Sequence, residues 1–129
     1  MSEAPKPRAL LVLAGLIFLE AAAVAVAAIS LVVEIVASTP SSYASAIALA
    51  ALVALAAVLL AIVGVATVRA RPWIRGAAIC WQILQVLVAV SILQAQAPDV
   101  AWLLILPAAA IIILLFTRSV REATARPER

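Results

Sequence analysis

The sequence predicts an all-α membrane protein in which four transmembrane helices form an up-down-up-down bundle with both chain ends in the cytoplasm. Three observations lead to this fold class. The chain is 68% hydrophobic, its apolar residues fall into four long runs, and its basic residues lie only in alternate connectors. Because the connectors are short, consecutive helices are expected to be antiparallel neighbours.

The composition is that of a chain surrounded by lipid. A soluble domain is about 45–50% apolar and about 25% charged, whereas this chain of 129 residues is 68% hydrophobic and 12% charged. A chain this short cannot hide the excess in a core, because it buries too little of its own surface. The composition therefore predicts a multi-pass membrane protein.

Each apolar run is long enough for a spanning helix, since transmembrane helices need about 17–25 residues. None of the runs alternates between apolar and polar residues, as the strands of a membrane barrel do. The predicted spans are residues 9–36, 44–68, 76–93 and 100–116. The terminal and connecting segments are residues 1–8, 37–43, 69–75, 94–99 and 117–129.

The distribution of basic residues predicts the orientation. Two Lys or Arg residues precede the first span, three lie between the second and third, and four follow the last. The other two connectors contain none. Short cytoplasmic segments carry an excess of Lys and Arg, so residues 1–8, 69–75 and 117–129 are assigned to the cytoplasm.

An alternative is that the first run is a secretory signal, with a cleavage site after Ala25-Val26-Ala27. Glu20 lies between the apolar stretch of such a signal, residues 9–19, and the cleavage site, and apolar sequence resumes after the site. We favour the uncleaved helix. Cleavage would leave three spans and would place the new amino terminus outside.

Glu20 is the first candidate functional residue, because it lies close to the bilayer centre. An ionised side chain at that depth costs about 3 kcal/mol on insertion scales. A carboxyl group avoids this cost by holding a proton, by pairing, or by facing a wet cavity. The functional hypothesis is a proton- or ligand-binding site, and the structural hypothesis is a polar contact that holds helices together.

Gln82 and Gln85 are the second candidate, since a separation of three residues places both on one face of the third helix. Helix geometry predicts Glu20 and Gln85 at the same depth, with Ala23 and Ala27 continuing the facing stripe of the first helix. Polar side chains bond across membrane helices for about 0.6–2 kcal/mol each. For the glutamines alone, this structural role is favoured.

The connector with Arg69, Arg71, Trp73 and Arg75 is the most distinctive local segment. Cations beside a cytoplasmic leaflet are attracted to anionic lipid by about 1 kcal/mol each, and tryptophan prefers the interface. We assign these residues to orientation and to headgroup contact with an anionic inner leaflet. A cytoplasmic partner docking here is the alternative.

Other classes of function find no support in the sequence. The basic residues abut apolar runs instead of covering a folded face, so no nucleic-acid partner is expected. The chain has no histidine and a single cysteine, Cys80, which removes most metal and nucleophile schemes. We predict no catalytic residue, no metal site, no cofactor and no enzymatic activity.

The arrangement resembles a loose set of small four-span bacterial membrane proteins of unknown function. The similarity lies in the connector Arg71-Pro72-Trp73, the pair Trp81-Gln82, and the basic tail from Arg118 to Arg121. It implies a bacterial inner or plasma membrane location and no particular activity.

A weaker resemblance is to small multidrug resistance exporters, which have four helices and one membrane glutamate on the first. Only Glu20 matches here, and the aromatic residues expected to line a drug site are missing from the second and third runs. The resemblance implies that Glu20 exchanges protons for a cationic substrate.

Two functional hypotheses follow from the sequence. The first is a non-enzymatic accessory or interaction protein, which works with a membrane-protein partner or as a homodimer. The second is a proton-coupled small-molecule transporter that uses Glu20 with Gln82 and Gln85.

The predicted topology is testable with reporter fusions. A reporter fused after Ser41 is expected outside, and one fused after Arg71 inside, because the second span lies between them. Paired alkaline phosphatase and fluorescent protein fusions at both positions measure this. If both positions report the same compartment, the four-span topology is wrong.

Overall fold

In the computed structural model, which describes residues 7–96 and 98–125, the chain folds into four long helices and a short fifth. They are α1 (Arg8–Ala37), α2 (Tyr43–Val68), α3 (Ile74–Gln94), α4 (Pro98–Leu115) and α5 (Arg118–Ala123). This described part contains no strand, and the predicted all-α bundle of four long helices is confirmed. Predictions for residues 1–6, 97 and 126–129, including the charges of Lys6, Arg126 and Arg129, lie outside the described residues.

Local chemistry explains where the helices begin and end. Helix α1 ends just before Ser38-Thr39-Pro40, because proline lacks the backbone donor that a helix needs. Ser42 Oγ then accepts a hydrogen bond from the Ser45 amide at 3.3 Å and caps α2. Helix α4 begins at Pro98 with Asp99 in its first turn, where proline is tolerated and a carboxylate complements the helix dipole.

The four long helices form two hairpins. Helix α1 packs along α2, and α3 packs along α4, in the most extensive contacts of the described chain. The hairpins meet mainly where α1 lies against α4, whereas α2 and α3 contact each other much less. Helices α1 and α3 have no close backbone approach, so they occupy a diagonal of the bundle. Only side chains can connect them.

The hydrophobic core is concentrated at one end of the bundle, which we call the basic end because it carries Arg69, Arg71, Arg75, Arg118 and Arg121. The core joins the first turns of α1 and α3 to the last turns of α2 and α4. Its buried members are Leu10, Leu13, Ile17, Ala21, Leu60, Val63, Ala66, Ile74, Ala78, Ile111, Leu115 and Val120. The half of the bundle nearer the opposite end instead buries alanines, which are Ala28, Ala50, Ala89 and Ala101.

Helix α5 covers this core from the basic end. Val120 is fully buried, and the Thr124 hydroxyl donates to the Val120 carbonyl at 2.8 Å. The helix contacts both α1 and α4. The sequence predicts only a terminal segment for residues 117–129, because one large apolar residue in a short polar segment gives no periodic pattern.

The outer surface of the bundle consists of large apolar side chains. Leu52, Leu103 and Ile113 are each more than 60% exposed, and many other Leu, Ile and Val residues are more than half exposed. In water an apolar surface this extensive would drive association. In a bilayer it matches the solvent, so the chain is a multi-pass membrane protein.

The buried stripe of α1 differs from the one expected beyond Glu20. Ala23 and Ala27, which were expected to face the third helix, are exposed. The buried positions beyond Glu20 are Ala21 and Ala28. Because a helix has about 3.6 residues per turn, steps of three residues and steps of four residues from Glu20 lead to different sides of α1. Helices α2 and α4 determine which of these sides is buried.

Gly64 allows α1 to lie close to α2. A Cβ atom added at this position would lie 2.8 Å from Cε1 of the Phe18 ring. Small residues at membrane helix interfaces permit such close approach. Gly15 provides a contrast, because a Cβ atom added there meets no atom within 4 Å.

We predict that Gly64→Leu lowers the free energy of unfolding by about 1–3 kcal/mol, because the larger side chain displaces the Phe18 ring from α2. SDS titration of the protein in a mild detergent measures this free energy. Gly15→Leu is the matched control and is expected to unfold like the wild type. Equal stability of the two variants would contradict the close α1–α2 contact at Gly64.

Candidate functional site

The candidate site is a polar cluster in the middle of the bundle, formed by Glu20 of α1 and by Trp81, Gln82 and Gln85 of α3. Glu20 lies about 18 Å along α1 from its first residue. Gln82 lies about 12 Å along α3. Both helices begin at the basic end, so the cluster lies at mid-membrane depth.

Glu20 and Gln82 form the contact between the two helices on the diagonal. Gln82 Nε2 donates a hydrogen bond to Glu20 Oε2 at 3.1 Å. Gln82 is fully buried and Glu20 is 7% exposed. Because α1 and α3 have no close backbone approach, two long polar side chains cross the space between them. This hydrogen bond connects one hairpin to the other.

Gln85 connects the cluster to α4. Its Nε2 atom donates to the Leu104 carbonyl at 2.7 Å, and its Oε1 atom accepts from Trp81 Nε1 at 2.9 Å. Leu104 lies in the turn before Pro107, whose ring crowds that turn and whose missing backbone donor would otherwise bond to the Leu103 carbonyl. Gln85 therefore has both of its polar atoms bonded within the bundle.

Two oxygen atoms of the cluster have no hydrogen-bond partner, and they belong to the two residues that already share a hydrogen bond. Glu20 Oε1 and Gln82 Oε1 are both buried. An ionised carboxylate and an amide oxygen are both acceptors, so neither can satisfy the other. A protonated carboxyl group has one O–H donor, which can donate a hydrogen bond to the amide oxygen. The pair therefore has the chemistry to hold one proton.

The structure brings together the three residues expected from the sequence, which left open which glutamine bonds to Glu20. Gln85 was expected at the depth of Glu20, yet Gln82, one turn closer to the basic end, makes the bond. The sequence did not predict that Trp81 and the Leu104 carbonyl belong to the cluster. The four-residue spacing from Trp81 to Gln85 was a usable signal, because such side chains are neighbours on a helix.

The basic connector is divided by the fold. Arg69, Arg71 and Trp73 line one groove beside the end of α2. Arg75 lies away from this groove, with its guanidinium 5.9 Å from the centre of the Phe116 ring. This distance is within the range of a cation–π contact. The four residues grouped by the sequence therefore belong to two surfaces.

Arg75 shares the second surface with the arginines of α5. Arg75, Arg118 and Arg121 line a polar cavity of about 520 Å³. Glu122 lies in the same cavity, and its carboxylate accepts a hydrogen bond from Arg118 Nε at 2.9 Å. This hydrogen bond, together with the negative charge, raises the pKa of the Arg118 guanidinium. The acidic partner offsets part of the positive charge on this surface.

The arrangement is that of a multi-pass membrane protein with a buried polar contact at mid-depth and a basic surface at one end. Across residues 7–96 and 98–125, no cluster of three or more His, Cys, Asp or Glu residues is positioned to hold a metal ion. Comparison with known proteins finds no matching family, no matching characterised protein and no matching solved structure.

We predict that the contact between Glu20 and Gln82 is energetically coupled. Gln82→Leu alone leaves a buried carboxyl group without its partner, so it is expected to destabilise more than the double variant with Glu20→Leu. The expected coupling is about 0.6–2 kcal/mol, measured by a double-mutant cycle of unfolding in detergent.

Gln94→Leu, at the exposed end of α3, is the matched control for this cycle and is expected to be additive with Glu20→Leu. Additivity of Gln82→Leu with Glu20→Leu would show that the observed hydrogen bond does not hold the hairpins together.

Proposed function

We propose that this chain is a non-enzymatic accessory or interaction protein of a bacterial inner or plasma membrane, with both ends in the cytoplasm. It acts by binding another membrane protein or a second copy of itself. The proposal rests on one observation about the polar cluster. Glu20, Gln82 and Gln85 each form a hydrogen bond to another group of the same bundle.

A substrate site requires polar groups that are available to a ligand. Here the amide nitrogen of Gln82 donates a hydrogen bond to α1, and the two polar atoms of Gln85 form hydrogen bonds within α3 and to α4. Such contacts are the principal polar means of holding membrane helices together. The cluster therefore supports a structural role, and the outer surfaces are left to carry the function.

Two outer surfaces suit an interaction protein. Helices α2 and α3 contact each other sparingly, and their outward faces expose Leu52, Leu59 and Leu87 by more than half. Lipid or the helices of a partner can cover these faces. The basic end adds exposed arginines beside the cytoplasmic leaflet, in the orientation predicted from the charges. The bacterial location rests on the resemblance to small four-span bacterial proteins.

The second candidate function is a proton-coupled small-molecule transporter that uses Glu20 with Gln82 and Gln85. One specific observation favours it. Glu20 Oε1 and Gln82 Oε1 are buried without partners, and one proton on Glu20 would supply the donor that Gln82 lacks. Intramembrane carboxyl groups are often part of proton pathways. Binding and release of this proton would break and remake the contact between the hairpins.

The two functions are distinguished by purifying the full chain in a mild detergent after cross-linking in native membranes. The accessory function predicts another membrane protein or a second copy of the chain recovered in fixed stoichiometry, without proton movement, and Glu20→Gln is expected to preserve this complex because an amide still bonds to Gln82.

The opposite result contradicts the accessory function and supports transport. It would be a chain, alone or as a homodimer, that binds lipophilic cations and moves protons in reconstituted vesicles. Loss of that proton movement in Glu20→Gln would assign the coupling to Glu20.

A further inference from the structure

We propose that the groove beside the end of α2 is a binding site for one anionic phospholipid of the leaflet at the basic end. In this site an acyl chain lies along α2, and the headgroup phosphate contacts Arg69 and Arg71. The proposal concerns a defined site, in contrast to the general attraction of a basic loop to an anionic surface, and it is independent of the proposed function.

The groove has an apolar wall and a cationic end. It encloses about 480 Å³, a volume within the range of ordinary small-molecule sites. Its wall is formed by α2, and the connector closes it. The lining residues are Val58, Ala61, Ile62, Val65, Ala66, Arg69, Arg71 and Trp73.

The length of the groove matches one leaflet. From Val58 to Arg69 the helix rises about 16 Å, and half of the hydrocarbon core is about 15 Å. A chain that begins at the arginines and follows α2 therefore reaches the bilayer middle. Trp73, which is 51% exposed, lies at the headgroup level, where tryptophan is favoured.

The turn after α2 holds the two arginines in place. The Arg71 amide donates to the Ala66 carbonyl at 3.0 Å, and the Ala70 amide donates to the Thr67 carbonyl at 2.9 Å. This pair of hydrogen bonds is a Schellman motif. Ala70 has a positive φ of 55°, a conformation that is unfavourable for a residue with a Cβ atom. A site with a fixed backbone loses little entropy on binding.

The charge of the groove favours an anionic headgroup. None of its lining residues is acidic, whereas the cavity beside α5 contains Glu122 in contact with Arg118. A phosphate at Arg69 and Arg71 meets two cations with no competing carboxylate in the groove. Guanidinium groups bind phosphate through paired hydrogen bonds. An apolar wall that runs away from these cations fits a phospholipid better than a free phosphate.

Native mass spectrometry of the full chain in mild detergent, titrated with phosphatidylglycerol or phosphatidylethanolamine, tests the proposal. The wild type is expected to retain one phosphatidylglycerol, with weaker retention of phosphatidylethanolamine. The combined variant Arg69→Gln and Arg71→Gln is expected to bind phosphatidylglycerol about 25-fold more weakly, since each cation contributes about fivefold. Binding in detergent does not depend on the orientation of insertion.

The matched charge control is Arg118→Gln with Arg121→Gln, which removes two arginines from the same end but outside the groove. It is expected to keep the wild-type affinity. Ile62→Trp fills the groove without changing charge and is expected to lower affinity, whereas Ile83→Trp, on the exposed face of α3, is not. Equal losses in the two arginine variants, or wild-type affinity in Ile62→Trp, would overturn the proposal.

Discussion

Helices surrounded by lipid gain no hydrophobic free energy by associating, because lipid tails are as apolar as leucine. The bundle must therefore be held by close packing, by hydrogen bonds between helices and by its short connectors. Close packing is strongest within each hairpin, as where Gly64 admits the ring of Phe18. Between the hairpins the backbone contacts are fewer, and there the hydrogen bond from Gln82 to Glu20 contributes. The polar side chains of the cluster therefore lie between the hairpins, where the backbone contacts are fewer than within each hairpin.

The two ends of the bundle differ in the size of the side chains that they bury. At the basic end, large apolar residues of five helices form a core that α5 covers. In the opposite half the buried residues are alanines, which allow close approach but bury little surface. If the contact at Glu20 changed, the packing would therefore resist movement of the hairpins more strongly at the basic end than at the opposite end. This asymmetry is relevant to both candidate functions, because each needs part of the bundle to remain rigid.

Some of the polar cluster could be predicted from particular residues. A carboxyl at mid-membrane depth and two glutamines on one helical face required partners, and Glu20, Gln82 and Gln85 were grouped on that basis. The partner of each residue could not be predicted, because helix rotation and tilt decide which side chains meet. Gln82 bonds to Glu20 while Gln85 bonds to the Leu104 carbonyl. The prediction that Ala23 and Ala27 face the third helix was wrong for the same reason, since both residues are exposed.

The sequence by itself determined that the chain is a membrane protein with four helical spans, because run length and hydrophobicity decide what a bilayer accepts. It also determined the breaks between helices near Pro40 and Pro98, because proline acts locally on the backbone. Only the tertiary structure decided that Arg69 and Arg71 share a groove while Arg75 lies on Phe116. Only the tertiary structure decided that α5 covers the core. Those outcomes depend on how helices rotate and pack against one another, and contacts between distant residues leave no periodic pattern in the chain.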